Sequence, residues 1–255
     1  MDEALKNKLL FLADKYETRE FINSDPSQFL YWYPKKQIVD VECAAFIAAM
    51  LSFGNRKQFI EKIRWILELA DQTKGTVSAW LLHECPQFPQ GEKKFYRFYS
   101  YDDMKLFFSE ISSLLKKEKS LGCYFKNLFY NKNRDSLDCF LNEIISDAFP
   151  FSKIVPKGKT SANKRIHMFL RWMVRQNSPV DLGIWDWFSP SLLKIPIDTH
   201  VLQESVKLGL LSTDDKPSKK TVIKLTSLMN EIFPGDPCRA DYSLFGLGVD
   251  YPDKS

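Results

Sequence analysis

Lys164 and Asp198 are the residues of this chain whose types and settings best fit covalent chemistry. Lys164 lies in "TSANKRIHMFLRWMVR", where Thr160 or Ser161 is a natural N-cap and the lysine falls in the first helical turn. The positive end of a helix and the adjacent Arg165 both make this an unfavourable place for an ammonium ion. A lysine so placed is a usable amine nucleophile, able to form a Schiff base. The same residues also describe a surface lysine in a basic helix. Asp198 sits in "KIPIDTHVLQ", just off an apolar segment and at the mouth of a new helix. It is a favoured N-cap there. It is expected both to cap that helix and to face Lys164.

Other polar residues group around this pair. Between Asp147 and Asp181 there is no acid, whereas Lys153, Lys157, Lys159, Lys164, Arg165, Arg171 and Arg175 all fall in that interval. Such a block suits a phosphate backbone. It equally describes a solvated helix face balanced by acids elsewhere in the fold. Trp185 and Trp187, in the loop between Lys164 and Asp198, either wall a pocket or pack it. His200 reads as structural. The five cysteines are scattered without Cys-x-x-Cys spacing, and their odd number fits a reducing compartment better than a disulfide framework. The same scatter, and three histidines without ligand spacing, argue against a zinc or iron–sulfur site.

The elements that must position these residues are helices, because a 3.6-residue apolar period dominates the chain. The first runs from about Ala4 to Phe21. "VECAAFIAAMLSF" is apolar nearly all round, so it should be buried, and it halts at Gly54. After the tight turn "GNR", "KQFIEKIRWILELA" puts Phe59, Ile63, Ile66 and Leu67 on one stripe. Shorter helical pieces and the aromatic loop "KKFYRFYSYDDM" follow, with Asp102 or Asp103 capping the next helix. "DSLDCFLNEIISDAF" reads as amphipathic, and so does the helix after Thr160, whose stripe is Ile166, Phe169, Leu170, Met173 and Val174. A helix from Thr199 to about Leu208 ends at Gly209, and two more close the chain. The expected fold class is all-α. No apolar run approaches the ~20 residues that cross a membrane. The N-terminus opens with acids, unlike a signal peptide, so a cytoplasmic location is expected.

"IPIDTHV" resembles the stretch carrying the catalytic Asp in the helix-hairpin-helix DNA glycosylase superfamily, and Asp198 matches that aspartate. The usual hairpin reads Leu-Pro-Gly-x-Gly-x-Lys-Thr-Ala. This chain has "VPKGKTSANKR", with one glycine, so its hairpin is degenerate. A lysine opening a helix after small residues, farther from the aspartate, is more similar to the archaeal-type 8-oxoguanine glycosylases. "PCRADYSLFGLGVD" is similar to their terminal helix, which puts Asp241 and Phe245 at the base pocket, with Trp185 as a further wall. "AAFIAAMLSFGNRKQFIEKI" looks like the early helix–turn–helix that brings a wedge residue to DNA, so Asn55 and Arg56 become candidates for DNA contact beside Lys157, Lys159 and Arg165. The chain also looks like a bacterial family of unknown function sharing "KR-x-x-x-FLRWMVR", "P-x-DTHV" and a terminal "FGLG".

The superfamily resemblance covers roughly residues 40–70 and 150–250 and implies two helical subdomains around a cleft. The subdomains are expected at about 40–134 and at 1–39 plus 135–255 of one glycosylase-like unit. It implies a DNA glycosylase with AP lyase activity, excising an oxidised purine such as 8-oxoguanine through a lysine Schiff base. No metal or organic cofactor is needed. The implied partner is double-stranded DNA with a damaged base, bound by a monomer without a membrane. The alternative is a non-catalytic nucleic-acid-binding module on the same scaffold. Such a module needs the cations but gains nothing from a carboxylate beside the phosphate path.

Overall fold

The computed structural model describes residues 2–132 and 140–250. Among them the first helices are α1 (Glu3–Tyr16), α2 (Arg19–Ile22), α3 (Ile38–Leu51), α4 (Arg56–Lys74) and α5 (Val77–Leu82). A two-stranded antiparallel hairpin follows, β1 (Lys94–Tyr96) and β2 (Tyr99–Ser100). The chain continues with α6 (Tyr101–Lys117), α7 (Leu121–Lys132), α8 (Leu141–Asp147) and α9 (Lys164–Val174). It closes with α10 (Thr199–Lys207), α11 (Lys219–Ile232) and α12 (Ala240–Asp250). The fold is all-α, as the helical period indicates. No helix among the described residues is long and apolar enough to cross a membrane.

The chain groups into two compact units, residues 26–157 and residues 1–25 with 158–255. Segments 26–39 and 140–157, expected with the termini, group with the inserted unit. The short 3-10 helix Pro26–Tyr31 packs on α3. Phe149 stacks on Phe46 of α3, ring centroids 5.0 Å apart.

In the inserted unit every residue of α3 from Asp40 to Leu51 is buried, as its apolar circumference requires. Its two acids are used as caps for neighbouring segments: Asp40 accepts the Ser78 amide at 2.8 Å and Glu42 the Gly122 amide at 3.1 Å. Glu110 of α6 likewise accepts the Phe151 and Ser152 amides, each at 2.9 Å. Buried carboxylates persist where backbone donors satisfy them.

Three local expectations are corrected. The first helix stops at Tyr16, because Glu17 leaves helical geometry and gives its carboxylate to Arg175 and Arg239, each at 2.8 Å. The aromatic loop is partly the β1–β2 hairpin. Helix α6 is capped by Ser100, and Asp103 closes a capping box rather than serving as the cap. Of the helix expected over "DSLDCFLNEIISDAF", α8 covers Leu141–Asp147; residues 135–139 lie outside the described ones.

In the terminal unit α1 packs along α12. The Ser243 hydroxyl donates to the Leu9 carbonyl at 2.6 Å. A Cβ on Gly246 would lie 2.0 Å from the Tyr16 ring, so the two helices approach only because that side chain is missing. Gly246→Ala should therefore destabilise the protein by about 1–3 kcal/mol through overpacking. Urea unfolding would show this as a lower midpoint at unchanged slope. An unchanged midpoint would mean that α1 and α12 part without cost.

Candidate active site

Helix α9 begins at Lys164, and the cap is neither Thr160 nor Ser161 but Asn163, in a left-handed conformation (φ 44°, ψ 37°). Asn tolerates that region better than most residues. Its side chain does not cap the helix. It turns back on the preceding loop, where Nδ2 donates to the Gly158 carbonyl at 2.9 Å and Oδ1 accepts the Ser161 hydroxyl at 2.7 Å. A Cβ on Gly158 would lie 2.8 Å from the Ser161 side chain, so the single glycine of "VPKGKT" stands where the loop has no room for more. Ser161 also bridges Ser218, and the Lys219 amide donates to the Thr160 carbonyl at 2.8 Å. This loop therefore delivers Lys164 from a tied support.

Lys164 Nζ lies 3.2 Å from Asp198 Oδ2, and both side chains are about one-third exposed, at 32% and 34%. Asp198 is at the same time the N-cap of α10, its Oδ1 accepting the Val201 amide at 2.9 Å. The two expected roles thus fall on different oxygens of one carboxylate. Burial opposes its charge, but Lys164, the Val201 amide and His200 outweigh burial and hold the carboxyl below its ordinary range.

Asp241, in the first turn of α12, belongs to the same neighbourhood. It does not cap its helix but pairs with the Arg171 guanidinium through Oδ2. Burial pushes its carboxyl up to about 6, against the pull of Arg171, and the charges of Asp198 and Lys164 also act on it. Behind it lies an extended ion network. Asp181 bonds both Arg171 and Arg175, and Arg175 also reaches Asp236 at 2.8 Å and Glu17 at 2.8 Å. Arg239 joins Glu17 to Asp14. The Tyr242 ring lies under both guanidinium groups, 4.6 Å from that of Arg171 and 5.4 Å from that of Arg175.

This network corrects the reading of residues 153–175 as one phosphate-facing block. Arg171 and Arg175 are buried and satisfied by acids, Lys153 pairs with Asp103 at 3.3 Å, and Lys164 pairs with Asp198. Lys157 is exposed, its ammonium on the Pro150 carbonyl at 2.5 Å. Lys159 is exposed beside Lys219 and Lys220, and Arg165 is half-buried. The signal for a buried α9 was present in "IHMFLRWMV", which has apolar residues on every side. An arginine inside such a helix must be paired.

The remaining candidates separate. Trp185 is 1% exposed, edge-on to Phe169 at 5.3 Å and stacked with Trp187 at 5.4 Å, so it packs and offers no face to a base. Phe245 is half-buried, its ring meeting Phe21 edge-on at 4.9 Å. Asn55 and Arg56 lie in the inserted unit, both exposed. Asn55 is the N-cap of α4, its Oδ1 accepting the Gln58 amide at 3.1 Å. That bond makes Asn55 the cap of α4.

His167, one turn along α9, was not singled out by its sequence context. It is buried with Nδ1 unpaired, and burial together with Lys194 pushes its pKa down from 6.5 to about 3. The unfolded chain takes up this proton near pH 6.5, while the folded protein refuses it until about pH 3. Stability from this group is therefore complete above pH 6.5 and declines as the pH falls towards 3. At pH 5 the loss is roughly 2 kcal/mol. His167→Leu should flatten the Tm profile between pH 4.5 and 6.5 by that amount. An unaltered slope would mean that the folded imidazole protonates freely.

Residues 25–250 match the model of the family described as "Protein of unknown function (DUF2400)", and the chain belongs to that family. No curated protein and no solved structure matches it.

Proposed function

We propose that this protein is a DNA glycosylase with AP lyase activity, acting on an oxidised purine of the 8-oxoguanine kind in duplex DNA. The observation that carries the reading is the 3.2 Å approach of Lys164 Nζ to Asp198 Oδ2 at a partly exposed position. A primary amine beside a carboxylate, both reachable from solvent, is the minimal apparatus for imine chemistry at a sugar carbon.

The Lys164 ammonium gives a proton to Asp198 Oδ2, and the free amine attacks C1′ of the damaged nucleotide. The N-glycosidic bond breaks, its electron pair leaves with the base, and the base takes up a proton. Opening of the C1′–O4′ bond, with protonation of O4′, leaves an imine between Nζ and C1′. Loss of a C2′ proton then expels the 3′ phosphate with its bonding pair. Asp198 passes the lysine proton to the departing base, and the carboxylate so restored offsets the positive charge of the iminium formed at C1′. Asp241, its Oδ2 fixed by Arg171, presents the acceptor for purine ring N–H groups, with Phe245 five helical steps along the chain from Ala240 on the same helix. Extruding the base costs a few kcal/mol, which stacking and these hydrogen bonds return.

The test is borohydride trapping on duplex DNA carrying one 8-oxoguanine, beside a duplex carrying one abasic site. The expected result is a covalent adduct on both. An adduct on the abasic duplex alone would keep the lyase and remove this lesion. No adduct on either would sink the enzyme reading.

A further inference from the structure

The tip of the β1–β2 hairpin holds a side chain that the proposed chemistry does not use. Phe98 is 66% exposed, in a unit whose other aromatics are mostly buried. It is nevertheless well supported: its ring lies 4.6 Å from that of Tyr99 and 5.5 Å from that of Phe53. Phe53 in turn packs on Tyr96 at 5.2 Å and Tyr99 at 5.5 Å. An exposed ring on a rigid aromatic base loses little freedom on stacking, so it is well suited to contact another flat group.

The backbone around it is specialised. Arg97, the other turn residue, takes a left-handed conformation (φ 52°), which is strained for a non-glycine residue and recurs at functional sites. A second turn lies against the hairpin. The Tyr96 hydroxyl donates to the Phe53 carbonyl. A Cβ on Gly54 would fall 2.9 Å from Tyr96 Oη and 3.4 Å from Arg97 Nε. Gly54 itself has φ 79°. The turn at Gly54–Asn55, the start of α4 and the 97–98 tip thus form one surface bearing Arg56, Lys57, Arg97 and Phe98, with no acid among residues 54–57 or 97–98. Among the described residues neither Lys57 nor Arg97 has a hydrogen-bond or ion-pair partner.

We infer that this surface is a nucleic-acid stacking platform: the Phe98 ring stacks on an unpaired base while Arg97 and Lys57 hold the flanking phosphates. The occupant is chosen by charge, since an apolar protein partner would have no use for Lys57 and Arg97 beside a single ring. The inference rests on the nucleic-acid reading above, and it names the contact surface which that reading lacks in the inserted unit. Stacking of this kind tolerates any base and gains from one already out of the helix.

The experiment is fluorescence anisotropy of the full chain with three labelled DNAs: a single strand, a duplex with one tetrahydrofuran abasic analogue, and an intact duplex. Phe98→Ala should weaken binding to the first two by about tenfold and to the intact duplex much less. Phe98→Tyr should bind like wild type. Arg97→Ala should weaken all three and lower the salt dependence by about one phosphate contact. Phe98→Ala at saturating concentration should still be trapped by borohydride as wild type is. Equal affinities of Phe98→Ala and wild type for the first two DNAs, with trapping intact, would overturn the platform and leave the Lys164 chemistry standing. Failure of wild type to bind any of the three would overturn both readings.

Discussion

Lys164→Ala should abolish the borohydride adduct on the abasic duplex while leaving the protein folded. The reasoning combines position with energetics. Lys164 supplies the amine placed 3.2 Å from a carboxylate, so its removal takes away the nucleophile rather than slowing it. The ion pair it breaks is one-third exposed at both ends, and exposed pairs contribute only about 0–1 kcal/mol. Near-normal stability with total loss of trapping is therefore expected. Asp198→Asn is the companion variant. Asn caps a helix about as well as Asp, so the bond to the Val201 amide and α10 should survive. The amide cannot take the lysine proton, and the trapping rate should fall by about 10²–10⁴-fold. A variant that lacks Lys164 and still traps would move the nucleophile to another amine. An Asp198→Asn protein as fast as wild type would reduce the aspartate to a cap.

Arg175→Ala should have the opposite signature, a large loss of stability. Arg175 is 2% exposed and serves Asp181, Asp236 and Glu17 together. Truncation takes the ion-pair partner from Asp236 and one of two from Glu17 and from Asp181, whose side chain is wholly buried. Breaking a buried pair by removing one partner costs about 3–5 kcal/mol, because the abandoned charges keep their desolvation penalty. For a chain of this size that corresponds to a Tm lower by about 6–20 °C. The cost should be concentrated at Arg175. Lys157→Ala, whose ammonium bonds only an exposed carbonyl, should change Tm little. Equal melting of Arg175→Ala and wild type would mean that the network is solvated.

These two residues show where sequence was sufficient and where it failed. Both are cations on or at the end of α9, eleven residues apart along one basic stretch. One heads the helix and is partly exposed; the other ends it in the core. The sequence carried the helices because burying an apolar face imposes a period that is written locally. It placed α3 in the core, the stripe of α4 and the start of α10 at Asp198. It also paired Lys164 with Asp198, since each heads a helix and the residue types suggest one another.

The rest was decided by tertiary structure, because charge balance is a property of neighbours in space. No local pattern announces that Arg175 will meet Glu17, which lies 158 residues away, or Arg239 meet Asp14, 225 residues away. Those partners turned an apparent phosphate path into a buried network and ended α1 at Tyr16. The same applies to Asn163, whose cap geometry depends on Gly158 and on the Ser218 bridge, and to Gly246, whose reason is the Tyr16 ring. Hydrophobic periodicity and cap chemistry determined which segments are helices. Only the folded arrangement decided which charges are left to meet a ligand, because a buried charge is fixed by whichever partner the packing brings to it.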